Sequence, residues 1–133
     1  MATASLSLGL IDSAILVDAL RGRADANLFL ASLPSPPNLP VSIISAMELT
    51  EGCRNGRELN LLRKFLLPYL ILPVTDLISQ HAYTLMQTYY LSHGLVIPDP
   101  LIAATALDRG WTLYTQNVRH FQMIPGLTVV RPY

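Results

Sequence analysis

Three carboxylates stand beside apolar segments at widely separated points of the chain. Asp12 follows the apolar run 8–11, Glu48 lies early in a helix after a second apolar run, and Asp99 follows Pro98 and the apolar residues 95–97. The chain has only nine Asp and Glu residues, so these positions are informative. Carboxylates that share a buried site repel one another and are expensive to bury unpaired. Mg²⁺ or Mn²⁺, which prefer oxygen ligands, relieve such a cluster most simply, so the three positions predict a divalent-cation site if the fold brings them together.

Each of these carboxylates also has a purely structural explanation. Asp12 could cap the helix that follows it, and Asp99, immediately before Pro100, has the sequence position of an N-cap. Ser45 and Glu48 have the spacing of a capping box, in which the two side chains satisfy free amides at the start of a helix. The residues alone leave the capping and metal-binding interpretations open.

A second polar cluster follows the last long apolar segment. Thr115 and Asn117 would fall at the carboxyl end of a strand. The side-chain carbonyl of Asn117 can ligate a metal or hold a water. Arg119 and His120 could contact a phosphate, or they could lie in a solvated turn.

Short apolar runs alternate with longer periodic stretches, which indicates strands separated by helices. Four prolines within residues 33–40 indicate a stiff connector. Such alternation favours a parallel sheet covered on both faces. We therefore expect a single three-layer α/β/α domain over residues 1–133, with a central, mostly parallel sheet whose strand ends carry the site. The predicted strands are 6–11, 40–44, 69–74, 112–114 and 127–130, and the predicted helices are 14–20, 24–33, 45–53, 58–67, 76–92 and 100–108.

Composition narrows the class of protein. Of 133 residues, 51% are hydrophobic and 14% charged, and nine Lys and Arg balance nine Asp and Glu. This excludes intrinsic disorder and a polybasic clamp for nucleic acid. Cys53 is the one cysteine, which excludes a disulfide framework and favours a reducing compartment. No apolar stretch is long enough to span a membrane, so we expect a cytoplasmic protein whose apolar surface is covered by a partner or a second copy.

Four segments, in this order and at compatible spacings, carry a family resemblance. The sequence resembles the PIN-domain nucleases and, among them, the VapC toxins of type II toxin–antitoxin pairs. The resemblance covers nearly the whole chain, and the segments are LIDS at 10–13 with LRG at 20–22, SIISAMELTEG at 42–52, IPDPLIAATAL at 97–107, and TQNVRHF at 115–121 with PGL at 125–127.

The resemblance implies a PIN-like domain and a Mg²⁺-dependent endoribonuclease, with Mn²⁺ as a substitute. Asp12, Glu48 and Asp99 would form the acidic metal-binding triad, and Asn117 would occupy the fourth position. Metal-activated water would attack a phosphodiester of structured RNA. The implied partners are a cognate VapB-like antitoxin and a second copy in a homodimer. Further substrate contacts are assigned to four residues: Ser13, Thr115, Arg119 and His120.

RNA binding by a chain of zero net charge needs local cations near the cleft. The candidates are Arg21, Arg23, Arg54, Arg57 and Arg119. Three other functions stay open: metal-free cleavage by His81, His93 and His120, a PIN nuclease of RNA maturation without an antitoxin, and a non-catalytic binding module.

Overall fold

The computed structural model describes residues 9–33 and 39–133, and their strands and helices alternate as the apolar pattern predicts. The strands are β1 (Gly9–Ile11), β2 (Leu39–Ser42), β3 (Tyr69–Leu72), β4 (Thr112–Tyr114) and β5 (Val129–Val130). The helices are α1 (Ser13–Leu20), α2 (Ala24–Ser32), α3 (Ile43–Glu51), α4 (Gly56–Leu66), α5 (Asp76–His93) and α6 (Asp99–Arg109), with a 3₁₀ turn at Val118–His120. Residues 6–8 of the predicted first strand and residues 34–38 of the proline-rich connector lie outside the described residues.

Every pairing between the described strands is parallel. β1 pairs with β4 and β4 with β5, while β2 pairs with β3. β1 also contacts β2, so the strand order across the molecule is β3-β2-β1-β4-β5. In this order β1 and β4 are central, and the segments that follow them meet at one edge of the sheet.

Two separate cores confirm the three-layer architecture. Leu10 of β1 and Leu113 of β4 are buried in a cluster with residues of α5 and α6. Their neighbours Ile11 and Tyr114 are buried in a second cluster with residues of α1, α2, α3 and α4. Because successive side chains of a strand point to opposite faces, the central strands have helices on both sides.

The close approach of β1 and β4 depends on Gly9. A Cβ atom at this position would lie 2.5 Å from the carbonyl oxygen of Thr112 and 2.5 Å from the ring of Tyr114. That ring packs edge-on against Phe29 of α2 at a centroid distance of 5.0 Å. Glycine thus leaves room for an aromatic contact between the sheet and α2.

Hydroxyl side chains cap two of the helices. The Thr75 hydroxyl accepts a hydrogen bond from the amide of Ile78 and caps α5. Helix α3 is capped by Ser42, whose hydroxyl accepts from the Ile44 amide at 3.1 Å. The predicted capping role of Ser45 is therefore wrong, because β2 ends at Ser42 and the cap lies three residues earlier.

No helix in the described ranges combines the length and the apolar character needed to cross a bilayer.

Candidate active site

Asp12 occupies the junction between the central strand β1 and helix α1. Its backbone amide donates to the carbonyl of Tyr114 at 3.0 Å, which continues the β1–β4 pairing beyond the strand. Its side chain is the N-cap of α1, with Oδ1 accepting from the Ser13 amide at 2.9 Å. The capping interpretation is thus correct for Oδ1, and Oδ2 can accept a hydrogen bond from another residue. Asp12 is only 6% exposed.

Thr115 is the partner of that second oxygen. It follows β4, is fully buried, and its hydroxyl donates to Asp12 Oδ2 at 2.7 Å. The same hydroxyl oxygen accepts from the backbone amide of Asn117 at 3.0 Å. One threonine therefore ties the loop after β4 to the loop after β1.

Glu48 reaches the same region from α3. It lies in the sixth position of that helix, too far from the first turn to complete a capping box. Its Oε1 instead accepts a hydrogen bond from the Ser13 hydroxyl at 3.2 Å. Ser13 thus contacts two carboxylates, one through its amide and one through its hydroxyl.

Asp99 enters from the start of α6. It is the first residue of that helix, and the N-cap position is held by Pro98, which makes no side-chain capping bond. The predicted N-cap role of Asp99 is therefore wrong. Its Oδ2 lies 3.0 Å from Nδ1 of His120, and the exposed fractions of the two side chains are 15% and 55%. The carboxylate is thus held by a residue of the turn after β4.

The electrostatics show that Asp12, Glu48 and Asp99 share one environment, and we call them the carboxylate cluster. Burial is the main cause that raises the pKa of Asp12, while the bonds from Thr115 and Ser13 oppose the rise. Burial also raises the pKa of Glu48, and repulsion by Asp12 and then by Asp99 adds to it. For Asp99, burial and repulsion by Asp12 raise the pKa, against the attraction of His120.

The donor chemistry of this cluster fits a hard divalent cation. Its oxygens are partly desolvated and mutually repelling, and a cation would relieve both penalties. The side chains stand in a hydrogen-bonded arrangement: in the part of the chain that the structure describes, no three His, Cys, Asp or Glu residues are gathered closely enough to hold a metal together. To share a cation, the three carboxylates would have to approach one another more closely than they do here.

The other predicted residues lie at the rim or elsewhere. Asn117 and Arg119 are exposed. Asn117 contacts Thr115 through its backbone amide and His120 through its backbone carbonyl. His81 is exposed on α5, and His93 bonds the hydroxyl of Ser92 at 2.7 Å. Neither of these two histidines has a hydrogen bond or ion pair with the cluster.

A groove that the sequence did not predict opens beside Glu48. It has a volume of about 620 Å³ and lies between α1, α3 and α4. We call it the Glu48 groove. Periodic leucines on α4 were the available signal, but which helices they face depends on tertiary packing. The groove is lined by Val17, Leu20, Arg21, Glu48, Leu49, Gly52, Cys53, Arg54, Glu58, Leu61 and Leu62.

The fold agrees with what the comparisons show. Residues 9–126 match the family described as PIN domain, and this chain belongs to that family. It is similar to Ribonuclease VapC10 of Mycobacterium tuberculosis, with 35% identity over 119 residues that cover 89% of each chain. It is also similar to Ribonuclease VapC19 of the same organism, with 39% identity over 120 residues covering 89% of this chain and 95% of that protein. Among solved structures, a toxin-antitoxin complex from Klebsiella pneumoniae aligns with a TM-score of 0.78 at 33% identity, covering 94% of this chain and 98% of that one.

Proposed function

We propose that this protein is the ribonuclease toxin of a VapBC-type pair, a Mg²⁺-dependent endoribonuclease that cleaves structured RNA. The observation that carries the proposal is the carboxylate cluster, in which Glu48 of α3 and Asp99 of α6 lie near Asp12 at the end of the central strand β1. The names of the curated relatives support ribonuclease activity, and the Klebsiella complex supports an antitoxin partner.

Asp12 and Asp99, with Glu48 directly or through a water, would hold the ion. Mg²⁺, or Mn²⁺ in its place, supplies a bound water of lowered pKa and polarises the phosphate that is cleaved. Asn117, at the rim, is the proposed fourth position.

The chain's own residues orient the carboxylates. The Thr115 hydroxyl fixes Oδ2 of Asp12, and the Ser13 hydroxyl fixes Oε1 of Glu48. Since Thr115 is fully buried, its part in substrate binding is to position Asp12. His120 fixes Asp99 and leaves Nε2 for a phosphate of the RNA.

The proposal extends to partners and location. Exposed apolar side chains on α5, among them Leu77, Tyr83 and Leu91, give a surface for a second copy, and the antitoxin covers further apolar area. We propose one domain over residues 1–133, acting in the cytoplasm, where RNA substrates and a reducing milieu suited to the free thiol of Cys53 are found.

Incubation of the purified protein with folded RNAs, with Mg²⁺ and with EDTA, tests this function. We expect cleavage with Mg²⁺ only, with 5′-phosphate products. Asp12→Asn and Asp99→Asn should abolish it, whereas Asp108→Asn, at an exposed aspartate of the same helix as Asp99, should not.

Each competing function predicts a different result. Cyclic phosphate ends and activity in EDTA would show histidine chemistry without a metal. Unchanged activity of the Asn variants would refute the metal-nuclease proposal. An adjacent reading frame for a small DNA-binding protein, together with growth arrest on expression, distinguishes a toxin from an enzyme of RNA maturation. RNA binding without cleavage by the unaltered protein would indicate a binding module.

A further inference from the structure

We propose that the Glu48 groove is a subsite for RNA beside the cleaved bond, and that Arg21 binds a backbone phosphate there. The proposal rests on the ribonuclease function proposed above. It assigns a ligand class to a groove and a role to one arginine among five sequence candidates.

Arg21 differs from Arg23 and Arg54 because no carboxylate within the described part of the chain forms an ion pair with it. Arg23 pairs with Asp25 at 2.7 Å and lies 3.6 Å from Asp18. Arg54, across the groove, pairs with Glu58 at 2.8 Å. None of the ion pairs formed within the described ranges includes Arg21, whose side chain is exposed.

Charge in the groove favours a phosphate at this position. The carboxylate cluster repels an RNA backbone, and the chain has no net charge to attract one. Two arginines and two glutamates line the groove. Arg54 pairs with Glu58 and Glu48 accepts a hydrogen bond from Ser13, so Arg21 is the lining cation without an ion pair among the described residues. Guanidinium groups bind phosphate through two parallel hydrogen bonds.

Helix α1 sets the distance between Arg21 and the cluster. Asp12 is the N-cap of α1 and Arg21 is its C-cap, so about 13 Å of helix separates their backbones at 1.5 Å per residue. Arg21 is therefore placed for a phosphate that flanks the one being cleaved. Val17 and Leu49, which line the groove between them, offer an apolar wall to a base.

Binding of a fluorescein-labelled 20-nucleotide RNA hairpin, followed by anisotropy in EDTA from 50 to 200 mM KCl, tests the subsite. We expect Arg21→Gln to weaken binding about 5- to 10-fold at low salt and to reduce the salt slope by about 0.7–0.9, the loss of one phosphate contact. Arg21→Lys should recover most of the affinity because it keeps the charge. The control is Arg63→Gln: Arg63 is exposed on α4, bonds Asn60 and lies outside the groove, so its change should stay within about twofold.

In cleavage assays Arg21→Gln should raise KM without lowering kcat. The subsite is refuted if Arg21→Gln and Arg63→Gln have the same affinity for the hairpin. It is also refuted if the unaltered protein does not bind the hairpin at low salt. Weakened binding of the cognate antitoxin with unchanged RNA binding would assign the groove to the antitoxin instead. Loss of cleavage in Asp99→Asn with no effect of Arg21→Gln leaves the nuclease function standing and overturns the subsite alone. A protein that binds the hairpin through Arg21 but cleaves no RNA would overturn the nuclease function and leave RNA binding by Arg21 standing.

Discussion

Thr115→Val tests the claim that a buried hydroxyl positions Asp12. Valine keeps the shape of threonine and removes two hydrogen bonds, the one donated to Asp12 Oδ2 at 2.7 Å and the one accepted from the Asn117 amide at 3.0 Å. The first bond is buried and charge-assisted whenever Asp12 is ionised. The second bond is donated by the amide of Asn117, an exposed residue, so water can replace the lost hydroxyl as its acceptor.

The expected loss of stability follows from these two bonds. A hydrogen bond to a charged group contributes about 1.5–3 kcal/mol, and the amide bond adds about 0.5–1.5 kcal/mol, so we expect a total of about 2–4 kcal/mol. Thr105→Val is the matched control because Thr105 is equally buried and donates to a neutral helix carbonyl, that of Leu101, at 2.7 Å. Thr105→Val should lower the free energy of unfolding by about 1 kcal/mol or less.

Urea denaturation of both variants, at neutral pH and without divalent ions, measures the two losses. The penalty of Thr115→Val should shrink as the pH falls through the raised pKa of Asp12, since the bond is strongest to the ionised carboxylate. In an Asp12→Asn background it should also shrink, because the amide keeps the shape but carries no charge. Equal penalties for Thr115→Val and Thr105→Val, or a penalty that does not depend on Asp12, would contradict the positioning role. Cleavage activity should fall with Thr115→Val alone.

Three further predictions concern the carboxylate cluster, α3 and the central strands. Burial raises the pKa of each cluster residue, and repulsion by Asp12 adds to the rise for Glu48 and Asp99. The folded chain therefore binds protons more tightly than the unfolded chain, and without metal the free energy of unfolding should fall as pH rises through those pKa values, as urea titrations at a series of pH values would measure. By thermal or urea unfolding, Ser45→Ala should raise the free energy of unfolding by about 1 kcal/mol, since its buried hydroxyl has no hydrogen-bond partner among the described residues. Ser42→Ala removes the cap of α3 and should lower it by about 1 kcal/mol, and changes of the same sign would contradict the capping assignment. Gly9→Ala should cost about 1–3 kcal/mol through the contact with the carbonyl of Thr112, while Gly56→Ala, with open space, should change stability by less than about 1 kcal/mol.

Most of the fold could be predicted because apolar periodicity is local. The alternation of strands and helices and the parallel sheet with two covered faces are confirmed. The helix starts were less predictable, since two serines three residues apart compete for one cap. Ser45 has the better local pattern with Glu48, but the place where β2 leaves the sheet selects Ser42.

Positions of the site residues could be predicted, but their contacts could not. Parallel strand ends dictate that Asp12 and the segment around Thr115 meet, since β1 and β4 are neighbours. The bond from Ser13 to Glu48 spans 35 positions of sequence and depends on the packing of α1 against α3. The choice of Arg21 among the arginines likewise needed the ion pairs of Arg23 and Arg54, which follow from side-chain geometry.

The hydrogen bonds of the cluster explain why four short segments occur together in one chain. Ser13 of the first segment holds Glu48 of the second. Asp12 of the first segment is held by Thr115 of the fourth, and the fourth also supplies His120 for Asp99 of the third. Each carboxylate is therefore oriented by a residue from a different segment. Because burial works against all three charges, and repulsion by Asp12 also works against those of Glu48 and Asp99, removing one orienting group should impair the site even where every carboxylate is kept.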